Sequence, residues 1–117
     1  MALLTVQTIS TNGSIGNAPT QLAAWASPDT INGGDIGSDG CIVEVRNTSG
    51  GSLDLRVGDP GTTAAGNGAT NGYESLTVAN NATGRHRVTQ ANVNPATGLA
   101  QVGASTTNAA FTVTVYK

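Results

Sequence analysis

The sequence predicts an all-β fold: one domain over residues 1–117, a β-sandwich or jelly-roll-like barrel of about seven or eight short antiparallel strands. Three observations lead there. Apolar residues recur at a period of two, most clearly in Phe111-Thr112-Val113-Thr114-Val115-Tyr116 and in Cys41-Ile42-Val43-Glu44-Val45-Arg46. That period gives a strand one buried face and one wet face. Clusters of Gly, Asn and Ser divide the runs, and such residues make turns. No stretch carries the apolar repeat of an amphipathic helix, and a string of short strands separated by turns is the signature of a sandwich or barrel.

Taken in order, residues 3–9 (LLTVQTI) form a first strand rich in β-branched residues, and residues 1–9 as a whole serve as an N-terminal arm or an edge strand. Thr11-Asn12-Gly13-Ser14 breaks it. Residues 20–25 make a short strand or an irregular cover on the core, and Pro19 and Pro28 bracket a segment too short for a helix. Residues 27–40 (SPDTINGGDIGSDG) are a loop by composition. Asp29, Asp35 and Asp39 there invite a calcium reading, but the spacing fits neither an EF-hand nor a tandem calcium-binding repeat, so a solvated turn is expected and no metal.

Residues 41–57 (CIVEVRNTSGGSLDLRV) then read as a hairpin of two half-buried strands about an NTSGGS turn. Pairing Val45 with Leu55 and Val43 with Val57 would set Arg46 against Asp54 and Glu44 against Arg56. Favourable cross-strand pairs of this kind contribute roughly 0.2–1 kcal/mol each, and this register satisfies both. Residues 58–72 are an exposed excursion. Residues 73–79 (YESLTVA) are a strand with Leu76 and Val78 inward, turning through residues 80–84 into a strand at 85–90 (RHRVTQ). Residues 91–97 are loop, since Pro95 is barred from a central strand. Residues 98–104 and 109–116 supply the last two strands.

Composition narrows the function classes. Charged residues are 10% of the chain, against roughly 25% in typical domains. Trp25, Tyr73, Phe111 and Tyr116 are its only aromatics, so the core must be built from small aliphatic side chains. Low charge also suits a subunit surface covered by neighbours. The net charge of −2 and the lack of any basic cluster beyond Arg85-His86-Arg87 argue against nucleic-acid binding. No apolar run is long enough for a membrane helix, and Met1-Ala2-Leu3-Leu4-Thr5 lacks the features of a signal peptide.

Chemistry is sparse. Cys41 has no disulfide partner and lies on the apolar side of its strand, so it reads as a buried small hydrophobe. His86 is the single histidine, and motifs for a nucleophile, a metal pair or a phosphate loop are missing. The expectation is therefore no enzyme and no cofactor. Arg85, His86 and Arg87 are expected to be solvated surface or a polar patch that faces a carboxylate on a partner. Asn12, Asn47 and Asn81 match the N-glycosylation acceptor pattern but are read as turn residues.

One succession of motifs goes further: LLTVQT at the start, VEVRNTSGGSLDLRVGDP in the middle, then YESLTVA, NPATGLAQV and FTVTVYK at the end. It resembles the small capsid decoration (cement) proteins of tailed bacteriophages, especially those of actinobacterial phages. The resemblance spans nearly the whole chain, is best over residues 43–60 and 94–102, and is weakest over residues 23–40. It implies a structural virion protein on the outer surface of the capsid, binding the major capsid protein and neighbouring copies of itself as a dimer or trimer, with no nucleic acid and no membrane. The expected interface residues are Ala2, Leu3, Leu4, Thr5 and Val6 with Arg85, His86 and Arg87. The alternative is a tail or fibre-like adhesin domain that would recognise a glycan through Trp25, Tyr73 or Tyr116.

Overall fold

The alternating runs become two sheets whose apolar faces meet. A computed structural model describes residues 2–8, 19–60 and 72–117. Among these, β1 (Leu3–Leu4), β4 (Asp29–Asn32), β10 (Leu99–Ala104), β6 (Leu53–Gly58) and β7 (Tyr73–Val78) make the first sheet in that order, with β9 (Val93–Asn94) also on β10. The second sheet runs β2 (Val6–Gln7), β11 (Phe111–Tyr116), β5 (Cys41–Asn47), β8 (Thr83–Val88), with β3 (Thr20–Gln21) also on β11. The all-β sandwich expected from the sequence is the fold. Seven of the described strands have four or more residues and four have two.

The strands are not all antiparallel, however. β1 runs parallel to β4, β2 parallel to β11, and Ala24 bridges in parallel to Ala104. Parallel partners must come from segments joined by a crossover, and the N-terminal strand enters beside β4 and β11, which follow it at long range.

Valine carries the core. The buried apolar residues include eight valines, with Leu22, Ile31, Ile36 and Leu55 wholly covered and Phe111 as the one aromatic ring. Cys41 is buried among them. Burial pushes its thiol above the ordinary value of 9.0, although the charges of Lys117 and Arg87 and a backbone hydrogen bond pull the other way. A raised folded value means that the neutral thiol's contribution to stability is complete below the unfolded value. It is lost as pH rises through the folded value. A thiol-directed aromatic disulfide is therefore expected to label Cys41 at about pH 8 only as fast as the chain opens. Rapid labelling of the native protein would refute this.

The expected hairpin does not form. β5 lies between β11 and β8, whereas β6 lies between β10 and β7. Val45 is opposite Val113 and Gly84, and Leu55 is opposite Ala104 and Leu76. The two runs thus bring their apolar residues to one core from opposite sheets. Their alternation specifies which face is buried, not which strand is the neighbour. The expected ion pairs vanish with the register. Glu44 pairs with Arg85, the Thr77 hydroxyl donates to Asp54 at 2.8 Å, Arg46 donates to the Asn81 carbonyl, and Arg56 lies over the Tyr73 ring at 4.6 Å.

Asn47 turns the chain across. Its Nδ2 donates to the carbonyls of Gly51 and Val78, each at 2.8 Å, and its Oδ1 accepts from the Ser49 amide at 3.0 Å. Its backbone N–H donates to Ala82 and its carbonyl accepts from Asn81. One buried side chain thereby ties the arch after β5 to the arch between β7 and β8. As a glycosylation acceptor it is out of reach. Asn81 is a turn residue as expected, at φ 63°, while Asn12 lies outside the described residues.

The reading of residues 27–40 as a loop fails over residues 29–36 and holds for 27–28 and 37–40. β4 sits between β1 and β10, with Ile31 wholly buried, and leads into one short helix, α1 (Gly33–Ile36). Asn32 caps this helix by accepting from the Gly34 amide at 2.9 Å. Polar composition hid the strand because Asp29 is itself buried, 3% exposed, accepting from the amides of Ala2 at 2.8 Å and Ala23 at 3.1 Å. Asp35 and Asp39 are exposed on α1 and the loop after it. The region expected to be loop at 91–97 holds a single 3-10 turn, Gln90–Asn92, followed by β9, and Pro95 falls just past that strand. Of the excursion at 58–72, residues 61–71 lie outside the described residues. No helix among the described residues is long and apolar enough to cross a membrane.

Candidate interaction surface

The outer face of the second sheet gathers most of the chain's cations. On β5, the residues between the buried Val43, Val45 and Asn47 are Glu44 and Arg46, and they point outward. Pairing carries the same parity to the neighbours. Glu44 stands opposite Thr114 and Arg85, Ile42 opposite Tyr116 and Arg87, and Arg46 opposite Thr112 and Thr83. The result is a face of short threonines crossed by three arginines and one tyrosine.

Within it, Arg85 Nε meets Glu44 Oε1 at 2.7 Å, and the Tyr116 hydroxyl donates to the same oxygen at 3.2 Å. The Tyr116 hydroxyl and the Glu44 carboxylate hold the Arg85 guanidinium above its ordinary value, so it stays charged. Exposed pairs of this kind contribute little to folding. Their effect here is to orient the groups.

The same parity divides the expected basic trio. Arg85 and Arg87 are exposed on the outer face, but His86 stands opposite the buried Val43 and points between the sheets. There its Nε2 approaches Glu74 Oε2 at 3.4 Å, and Asn92 Nδ2 donates to Glu74 Oε1 at 2.9 Å and to the Gly58 carbonyl at 3.0 Å. His86 is therefore a strut between β8 and β7 rather than part of a patch.

The N-terminal residues divide in a similar way. β1 joins the first sheet and β2 the second, so five residues close one side of the sandwich. Leu4 is buried in this chain's own core, so its side chain does not face a partner, and Val6 is half-buried against that core. Leu3 is 59% exposed, and Ala2 and Thr5 are also exposed. Leu3→Asp is expected to leave the thermal midpoint within about 2 °C, as surface changes usually do. Deleting residues 2–8 would strip a strand from both sheets. If Leu3→Asp melted the domain, the arm would not be docked as described.

Sequence reasoning missed the burial of the polar residues Asp29, Asn47 and Asn92, which no motif signals. It also missed the meeting of Trp25 and Tyr73, whose rings stand edge to face with centroids 5.1 Å apart on the first sheet. Gly103 on β10, beneath Trp25, is the only local signal: a Cβ there would lie 2.9 Å from the Trp25 Cα. Among the described residues no three His, Cys, Asp or Glu side chains are grouped to hold a metal ion. No family model, no curated protein and no solved structure matches the chain.

Proposed function

We propose that this chain is a structural virion protein without enzymatic activity, one that decorates the outer surface of a tailed-phage capsid and stabilises the major capsid lattice. The observation that carries the reading is the outer face of the second sheet, a broad face of threonine, arginine and tyrosine that the described chain leaves half-buried to exposed. Its two central strands, β5 and β11, include VEVRN and FTVTVY, parts of two of the motifs on which the resemblance to capsid decoration proteins rests. A face of short polar side chains can approach a protein lattice closely and hydrogen-bond along its length. Neighbouring copies, as a dimer or trimer, would complete the contact.

The mechanism is linkage. A protein that binds the assembled, expanded lattice and not free capsid subunits stabilises the lattice by RT ln(1 + [L]/Kd) per site, and many copies multiply a modest term. Cosedimentation with expanded and with immature shells of the parent phage tests it. Saturable binding to expanded shells alone is expected, and electron microscopy should show density on the head. Density confined to the tail would overturn the reading.

A tail or fibre adhesin is the second reading, and the Trp25–Tyr73 pair is its footing. Arg56 already lies over the Tyr73 ring at 4.6 Å, covering a face on which a sugar would stack. The capsid reading is preferred for that reason.

A further inference from the structure

The second sheet carries a charge that the whole chain does not. Seven Asp and Glu outnumber five Lys and Arg overall. Arg46, Arg85 and Arg87 nevertheless share this outer face, and Lys117 directly follows β11, so four of the five cations stand on the face or at its end. The one carboxylate on the face, Glu44, is engaged by Arg85 and Tyr116.

At the end of this face, between the loop after α1 and the last residues of β11, opens a cleft of about 560 Å³. Half-buried Ile42 gives it an apolar floor, with the wholly buried Ile36 packed beneath, and Tyr116, Arg87, Lys117 and Asp39 stand around it. Arg87 Nη1 donates to the Asp39 carbonyl at 2.9 Å, and Lys117 Nζ donates to the Asp35 carbonyl at 2.8 Å. Those bonds anchor both cations at the rim while using one N–H of a guanidinium's five and one of an ammonium's three. The positive fields of both reach Cys41, at the start of β5.

We propose that this cleft receives an acidic segment of a protein partner. An apolar side chain would rest on Ile42, and an adjacent carboxylate would lie between Arg87 and Lys117. Charge complementarity selects the occupant. Two donors of fixed positive charge beside an apolar floor suit a carboxylate next to a hydrophobic group, and charge-assisted bonds to such donors are the stronger kind. The Asp39 carboxylate at the rim repels any anion, but two cations outweigh it for a single carboxylate, whereas a polyphosphate backbone needs a longer run of cations. This inference rests on the capsid reading only for the partner's identity; the chemistry of the cleft stands apart from it.

The test has two arms. In the first, the full chain is titrated with a capped hexapeptide alternating leucine and glutamate, with its leucine–glutamine counterpart, and with oligothymidylate, following backbone amide resonances. The glutamate peptide should shift residues 37–42, Tyr116 and Lys117, and R87Q or K117Q should each weaken it about tenfold, the effect of losing one charge-assisted bond. Both side chains are exposed, so the variants should keep the native spectrum. Equal binding of the glutamine peptide, shifts confined elsewhere, preference for oligothymidylate, or no shift at millimolar peptide would overturn the proposal.

In the second arm, wild type and the R87Q/K117Q double variant are sedimented with expanded shells. If wild type binds and the double variant binds equally well, the cleft is refuted while the capsid reading stands. If the peptide binds in the cleft but wild type ignores the shells, the cleft stands and the capsid reading falls. Reduced shell binding by the double variant supports both.

Discussion

Replacing Asn47 with Ala is expected to lower the stability of the domain by about 3–4 kcal/mol, which for a chain of this size means roughly 10–15 °C in Tm. Three hydrogen bonds disappear together: two from Nδ2 to the carbonyls of Gly51 and Val78, and one to Oδ1 from the Ser49 amide. A net hydrogen bond contributes about 1 kcal/mol, but a buried group left without a partner costs about 1–3 kcal/mol. The Val78 carbonyl sits in a buried place where water does not easily take over. N47D separates the donors from the acceptor. It keeps an oxygen for Ser49, yet turns the donor toward two carbonyls into another acceptor. It should be at least as damaging as N47A, and thermal melts of the pair decide the matter. If N47D were close to wild type, Asn47 would not be acting through its amide protons.

That residue also marks how far the sequence could be read. The faces of β5, β6, β7 and β11 were legible because buried valine and leucine alternate with polar residues, and nothing else in water enforces a period of two. The partner of each strand was not legible. Asn-Thr-Ser-Gly-Gly-Ser between two such strands serves an arch as well as a hairpin, and the choice is made by Asn47 reaching carbonyls 4 and 31 residues away. β4 was hidden for a related reason, since the buried carboxylate of Asp29 takes its partners from Ala2 and Ala23. Long-range polar contacts leave no local period.

The candidate site shows the same limit. Alternation around Arg85, His86 and Arg87 already implied that His86 points away from the arginines. That Glu74 and Asn92 wait for it on the other sheet is a tertiary fact. Likewise Leu4 was expected at an interface, and it is at one, but the interface lies within its own chain.

The second large effect is expected at Gly40, where Gly40→Ala should cost about 2–5 kcal/mol. Two penalties act at once. The backbone is at φ +85°, a left-handed conformation that disfavours a side chain by roughly 1–2 kcal/mol. In addition, a Cβ would lie 2.6 Å from the Val88 carbonyl oxygen, a backbone atom that cannot swing aside, and overpacking of this kind typically costs about 1–3 kcal/mol. Gly50 isolates the first penalty. It has φ +100° and open space around the added carbon, so G50A should lose only about 1–2 kcal/mol. Gly84 isolates the second: it carries no left-handed backbone, but its Cβ would meet Val78 Cγ2 at 2.7 Å and wedge β8 from β7. Denaturant melts of G40A, G50A and G84A should therefore place G40A lowest, near the sum of the other two. A G40A loss no larger than that of G50A would mean that the loop after α1 yields freely. Because Arg87 Cγ also lies 3.3 Å from that added carbon, such a yielding loop could not hold Arg87 and Asp39 at the rim of the cleft.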